Sequence, residues 1–231
     1  MPFSGEHRKR AALVTGGSSG IGLAIARALA EEGFALTLVS RTQEKVEAAA
    51  AELGAHAIAA DLSSPDGCAP VVPAHVEKWG RLDVLVNSAG VGIGGNVENL
   101  EIKYAGRQIA VNLGATFIVT QAAIPHLRET RGVIVNIASI AGTIPTPGLA
   151  MYGATKAGVI ALTRSLNEEL ESDGIRSTAI SPGFVATSMT DWTGLDAGEM
   201  IQPEDCAEVV RLLLRLSPRA RIPNVVIERS S

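Results

Sequence analysis

Short runs of branched apolar residues recur along this 231-residue chain, and longer Ala-rich amphipathic stretches lie between them. That alternation constrains the fold more than any other feature. The runs are AALVT (11–15), ALTLVS (35–40), AHAIAA (55–60), DVLVN (83–87), GVIVNIAS (132–139), RSTAIS (176–181) and NVVIE (224–228). Helical patterning falls near 20–32, 42–53, 66–79, 101–128, 152–172 and 203–216. A half-exposed strand alternates polar and apolar residues, whereas a near-continuous apolar strand is one buried on both faces. Parallel strands also need long crossovers, and a helix is the usual one. Right-handed crossovers then predict a single α/β domain, a doubly wound parallel sheet of about seven strands with helices on both faces.

The punctuation agrees. Thr42 is placed to cap the second helix, with Glu44 in its first turn. Ser64-Pro65 and Gln202-Pro203 each set a proline near a first helical position. Gly33, Gly54 and Gly174 follow helix ends, where a left-handed residue is wanted. No repeat or low-complexity linker divides the chain, so residues 11–231 read as one domain behind a polar overhang at 1–10. HRKR (7–10) followed by AALV has the order of a leader peptide, but the apolar run stops at Thr15-Gly16-Gly17. The sequence offers no apolar stretch near the ~20 residues of a membrane span.

Aromatics are 3% of the chain, too few for the stacking platforms of a single-strand nucleic-acid binder. A net charge of −4 gives no electrostatic reason to expect a polyanion. Neither nucleic acid nor membrane is therefore an expected partner. Cys68 and Cys206 lie 138 residues apart and fit no metal-ligand spacing, and the four histidines form no His-x-x-x-His pair. No metal site is expected, and the cysteine usage suits a reduced, cytoplasmic setting.

The first strand runs into TGGSSGIG (15–22), with spacing Gly16-x-x-x-Gly20-x-Gly22. Glycines let a backbone turn tightly and approach a ligand, and the helix that follows offers free N–H groups to a pyrophosphate. Far along the chain, Tyr152 and Lys156 stand four residues apart on a predicted helix, on one face. Between these lie NSAG (87–90) at a strand end, Asn112 in the long helix, and Ser139 at another strand end, thirteen residues before Tyr152. Pro182-Gly183 ends the sixth strand. In this order, over about residues 8–228, the pieces resemble the short-chain dehydrogenase/reductase family.

The resemblance implies a Rossmann fold and hydride transfer between a nicotinamide and a small carbonyl or secondary alcohol. Tyr152 would be the general acid and base, Ser139 would hold the substrate oxygen, and Lys156 would bond the nicotinamide ribose. Asn112 would position a water in a proton path from Lys156. A free tyrosine has a pKa of about 10, which a neighbouring Lys156 charge is expected to lower. The cofactor would be held by Gly16, Ser18, Ser19, Gly20, Ile21 and Gly22 in the turn. Asp61 and Leu62 would lie near the adenine, and Asn87, Ala89 and Gly90 beside the adenosine ribose. Pro182, Gly183 and Thr187 would hold the carboxamide, and residues 184–200 read as a lid over the substrate. The family also implies a homo-oligomer, a tetramer or a dimer.

Ser40 and Arg41 end the second strand, where a site preferring NAD(H) usually has an acidic residue. An uncharged serine and a guanidinium fork suit a 2′-phosphate, so NADP(H) is expected over NAD(H). The C-terminal PEDCAEVVRLLL and PRARIPNVVI resemble the branch of small reductases acting on hydroxy acids and assorted alcohols. Two other readings are a catalytically silent nicotinamide-binding regulator and a sugar-nucleotide epimerase. The retained Tyr152 and Lys156 disfavour the first, and the chain length disfavours the second.

Overall fold

The computed structural model describes residues 9–230, so most of the basic overhang, His7 and Arg8 included, lies outside the described residues. Seven parallel strands form one sheet: β1 (Ala11–Thr15), β2 (Ala35–Ser40), β3 (His56–Ala59), β4 (Val84–Asn87), β5 (Val133–Ile137), β6 (Arg176–Pro182) and β7 (Asn224–Ile227). Their order is β3-β2-β1-β4-β5-β6-β7. The order reverses between β1 and β4, and ligands of such sheets bind at the carboxyl ends of the strands beside that point.

Alternate residues of each strand face opposite layers. Ala12 and Val14 of β1 join Val84, Val86, Val133 and Val135 against α1 (Gly20–Glu31), α2 (Gln43–Leu53) and α8 (Pro203–Arg215). Leu13, Leu85 and Ile134 face α4 (Val71–Trp79), α6 (Ala115–Thr130) and α7 (Ala150–Glu169) on the other side. Both faces are thus covered by apolar side chains, which is why these strands read as unbroken runs.

Two predicted helices differ in detail. The segment near 66–79 is split into α3 (Pro65–Cys68) and α4. Pro70 and Pro73 have no N–H to donate, so the ladder breaks between them and the preceding turn. The segment 101–128 is continuous from Ile102 to Thr130 but changes winding. It consists of α5 (Ile102–Gln108), a π-helical turn (Ile109–Gly114) and α6. Contrary to the sequence reading, Ile102–Thr130 is long and apolar enough by composition to cross a membrane, at a hydropathy of 1.2. Here Val111, Ala115, Val119, Ala123 and Leu127 along it are buried in the protein.

Thr42 stands at the N-cap of α2 without a side-chain capping bond, so its hydroxyl contributes nothing there. Ser64 does cap α3, accepting from the Gly67 N–H at 3.2 Å. Gln202 and Asp205 form a reciprocal capping box at the start of α8.

Candidate active site

The glycine turn is built by contact. Gly16 and Gly20 hold φ values of 68° and 52°, which favour glycine. A Cβ on Gly16 would lie 2.9 Å from the Ala89 nitrogen, and one on Gly22 only 2.3 Å from the Gly16 carbonyl oxygen. Thr15 fastens the turn to the end of β4, its Oγ1 accepting from the Ser88 and Ala89 N–H groups at 3.1 and 3.2 Å. The first helical bond of α1 runs from Leu23 N–H to the Ser19 carbonyl. Ser19 makes no side-chain cap, and the first turn carries no acidic residue. The N–H groups of Gly20, Ile21 and Gly22 precede the first helical bond, and these residues line the cleft. Such a cradle fits a dinucleotide pyrophosphate.

The cleft has a volume of about 650 Å³. Ser19, Gly90, Pro182, Gly183 and Thr187 also line it, and Thr187 reaches across to the turn, its Cγ2 3.0 Å from where a Gly20 Cβ would sit. Other expected cofactor residues stand outside this lining. Ser40 ends β2 and donates to the Thr42 carbonyl at 3.3 Å, with exposed Arg41 next to it. Asp61 accepts the Ser63 N–H at 3.0 Å. That bond is the main cause holding its carboxyl below the usual range, with the positive charges of Arg41 and Arg107 adding to it. Leu62 points into the core beside Cys68 and Val71, and Ala89 packs against the same cluster. Ser18 is half-buried in the turn, off the cleft wall. Asn87 is turned inward, its amide donating to Thr120 Oγ1 (3.0 Å) and Asn136 Oδ1 (2.9 Å), so it braces the sheet centre.

Ser139, Tyr152 and Lys156 share one wall of the cleft. Ser139 ends the segment after β5, and its Oγ accepts the Ala141 N–H at 3.2 Å. Tyr152 and Lys156 stand one turn apart on α7, with Lys156 Nζ 5.7 Å from the tyrosine ring centroid. Lys156 is 4% exposed. Its ammonium donates to the Ile137 carbonyl at 2.7 Å, and burial pulls its pKa down to about 8. Burial is also the larger influence on Tyr152 and pushes its phenol above the ordinary value, against the opposing hydrogen bond with Ser139. The downward shift expected from Lys156 is not found: the phenol lies above its ordinary value and is held in its protonated form at neutral pH.

Asn112 lies in the π turn, and its side chain is fully engaged. Its Oδ1 accepts the Val91 N–H at 2.8 Å, while Nδ2 donates to the Val91 carbonyl (3.0 Å) and Thr155 Oγ1 (3.1 Å). A Cβ on Gly90 would sit 3.4 Å from Asn112 Oδ1 and 3.6 Å from Lys156 Nζ, so Gly90 is the narrow passage between them.

Two walls were not foreseen from the sequence. One is the glycine floor of Gly92, Gly94 and Gly95; the other is the loop through Thr146, Pro147 and Leu149. The Gly95 N–H donates to the Gly148 carbonyl at 2.8 Å, which joins the two. The run GIGG could have been read as a wall that needs no side chains. The segment 184–200 contributes Phe184, Met189 and Trp192. Among the described residues no His, Cys, Asp and Glu group is arranged to hold a metal.

Fold and cleft together define a nicotinamide-dependent oxidoreductase acting on a small molecule. The model of the short chain dehydrogenase family matches residues 10–196, and the chain belongs to that family. It is 40% identical over 193 residues to the 3-oxoacyl-(acyl-carrier-protein) reductase FabG of Staphylococcus aureus, covering 79% of this chain and 77% of that protein. An alcohol dehydrogenase of the archaeon Thermococcus sibiricus, solved with 5-hydroxy-NADP, superposes with a TM-score of 0.88 at 30% identity, over 95% of this chain and 96% of the other. A 3-ketoacyl-(acyl-carrier-protein) reductase of Brucella melitensis, solved with NADH, gives 0.87 at 31%, again over 95% and 96%.

Proposed function

We propose that the protein is an NADP(H)-preferring reductase of a small ketone, or dehydrogenase of the corresponding secondary alcohol, with Tyr152 as general acid and base. The observation that carries this is the meeting of Ser139, Tyr152 and Lys156 in the lining of one cleft with the glycine turn. Burial keeps the phenol protonated, while the lysine beside it, with a pKa of about 8, remains mostly charged at pH 7. A bound nicotinamide supplies or accepts the hydride. Ser139 holds the substrate oxygen by hydrogen bond, and Tyr152 donates its proton to that oxygen as charge builds there. The Lys156 ammonium favours the phenolate that results. Asn112 holds the floor of the cleft against α7 through Val91 and Thr155, which keeps Gly90 next to Lys156. Residues 11–231 act as one domain, with 184–200 as the lid.

Preference between the two dinucleotides rests on Ser40 and Arg41. A charge-assisted hydrogen bond contributes roughly 1.5–3 kcal/mol, on the order of 10–100-fold. Asp61 draws on the same guanidinium, which favours the lower end of that range. The experiment compares kcat/KM with NADPH and NADH on one ketone, for the native chain and for Ser40→Asp with Arg41→Ala. The native chain favours NADPH and the double variant NADH; a native preference for NADH would refute the assignment.

The same reading includes a cytoplasmic setting and a homotetramer or dimer. The small residues Gly153, Ala154, Ala157, Gly158 and Ala161 of α7, and exposed Ile109 and Phe117 along the preceding helix, support close pairing of helices. A monomeric mass by light scattering at micromolar concentration would exclude it.

A further inference from the structure

The substrate side of the cleft has a composition of its own. Next to Tyr152 the wall is apolar. A Cβ on Gly92 would lie 3.8 Å from Tyr152 Cε2 and 3.3 Å from Met189 Sδ, so the lid methionine reaches the wall beside the phenol. Beyond Met189 stand Phe184 and Trp192, packed edge to face at 6.2 Å and 81°. Trp192 lines the cleft and yet is 67% exposed. A large aromatic left open on a cleft wall gains most by covering its face with another apolar group.

Three of the segments that supply this lining carry side-chain charge of one sign. The segments 91–102, 139–151 and 184–200 contain five carboxylates, Glu98, Glu101, Asp191, Asp196 and Glu199, and no lysine or arginine. Glu101 is paired with Lys103 just beyond its segment. Among the described residues Lys156 is the one charged side chain lining the cleft, and it donates to the Ile137 carbonyl. A substrate bearing a carboxylate or phosphate would find no counter-ion, and exposed Asp191 would stand between two lining residues, Thr190 and Trp192. Desolvating an anion without a partner is costly, whereas an uncharged apolar substituent meets a surface suited to it.

We propose that Phe184, Met189 and Trp192 form a subsite for an uncharged apolar, preferably aryl, substituent on the carbonyl substrate, and that the lack of a free counter-ion, with Asp191 next to the lining, rejects anionic substrates. This rests on the reductase reading above. The test uses a pair that differs only in charge, ethyl 2-oxo-4-phenylbutanoate and the free 2-oxo-4-phenylbutanoate. With NADPH the ester is preferred in kcat/KM by about tenfold or more. Trp192→Ala raises KM for the ester about tenfold with kcat within about twofold, and Trp192→Phe restores most of the affinity.

A second readout needs no turnover. With NADP+, which has no hydride to give, the ester changes tryptophan emission in the native chain and leaves Trp192→Phe unchanged. Equal or better use of the free acid, an unaffected KM in Trp192→Ala, or an emission change that persists in Trp192→Phe would each overturn the subsite. If neither compound is reduced, the reductase reading fails, and the emission titration still decides the subsite.

Discussion

Lys156 sits where folding alone would not put a lysine. Its pKa falls from 10.5 to about 8 because burial disfavours the ammonium. At ~1.36 kcal/mol per unit, keeping it charged at pH 7 costs the fold about 3 kcal/mol. Lys156→Met keeps the length of the side chain, removes the charge and adds apolar burial. The loss is the bond to the Ile137 carbonyl; Ile137 lines the cleft and water can replace that partner, so about 1 kcal/mol is subtracted. The variant is therefore expected to be more stable than the native chain by about 2 kcal/mol at pH 7, or roughly 4–8 °C in Tm.

The sign has a second check. Between pH 8 and 10.5 the unfolded chain binds the lysine proton more tightly than the folded one, so native stability rises with pH in that window. The penalty is present below pH 8 and is relieved above it. Urea unfolding at pH 7 and pH 9.5 should thus show the gap between variant and native closing, as the native chain regains about 2 kcal/mol. A variant less stable than the native chain at pH 7, or a gap that does not change with pH, would refute the reasoning. On the proposed mechanism turnover is lost in the variant at every pH, since no ammonium is left to favour the phenolate.

Tyr152→Phe removes the proposed proton donor but keeps the ring, so kcat is expected to fall about 10²–10⁴-fold while NADPH affinity by titration is retained. Carbonyl reduction by the native chain should hold steady below pH 8 and decline above it as Lys156 loses its proton, read as kcat/KM against pH. His75 is fully buried between Thr37 and the Arg81 carbonyl, and burial pulls its pKa from 6.5 to about 4. Stability is therefore full above pH 6.5 and falls by about 3 kcal/mol towards pH 4, a slope that His75→Leu flattens in urea titrations. Gly22→Ala forces a Cβ to within 2.3 Å of the Gly16 carbonyl, so the turn must open, and dinucleotide affinity should drop by more than about tenfold in a fluorescence titration.

The sheet was legible because its five inner strands are buried on both faces, which leaves a continuous apolar run that helix patterning does not imitate; the edge strands β3 and β7 are only partly buried. Strand ends fell within a residue or two of those read from the runs, as with Arg176–Pro182 for 176–181. The glycine turn, Ser139, Tyr152 and Lys156 were legible because each needs a particular side chain, or none, at a fixed spacing. The direction of the Tyr152 shift was not, because it depends on desolvation, and desolvation is a property of the packed wall. The break at Pro70 and Pro73 was available in the sequence, since both prolines lack the donor that a continuous helix needs.

The π turn at Ile109–Gly114 had no such signal, and its value lies in what it holds. Gln108 accepts the Ile93 N–H at 3.2 Å, and Asn112 bonds both main-chain groups of Val91. Two side-chain amides, one turn apart, thus take the place that a neighbouring strand would have in pairing with the segment after β4. That segment cannot continue the sheet, because it must bend away to floor the cleft, and its glycines carry no side chains to anchor it. Its backbone groups would be left unpaired unless another element reached them. Wide winding loosens the regular ladder of the helix, and Thr116 Oγ1 donates to the Asn112 carbonyl at 2.9 Å there. The helix gives up regularity at the one place where its side chains replace a missing strand, and Gly90 and Lys156 stay in register as a result.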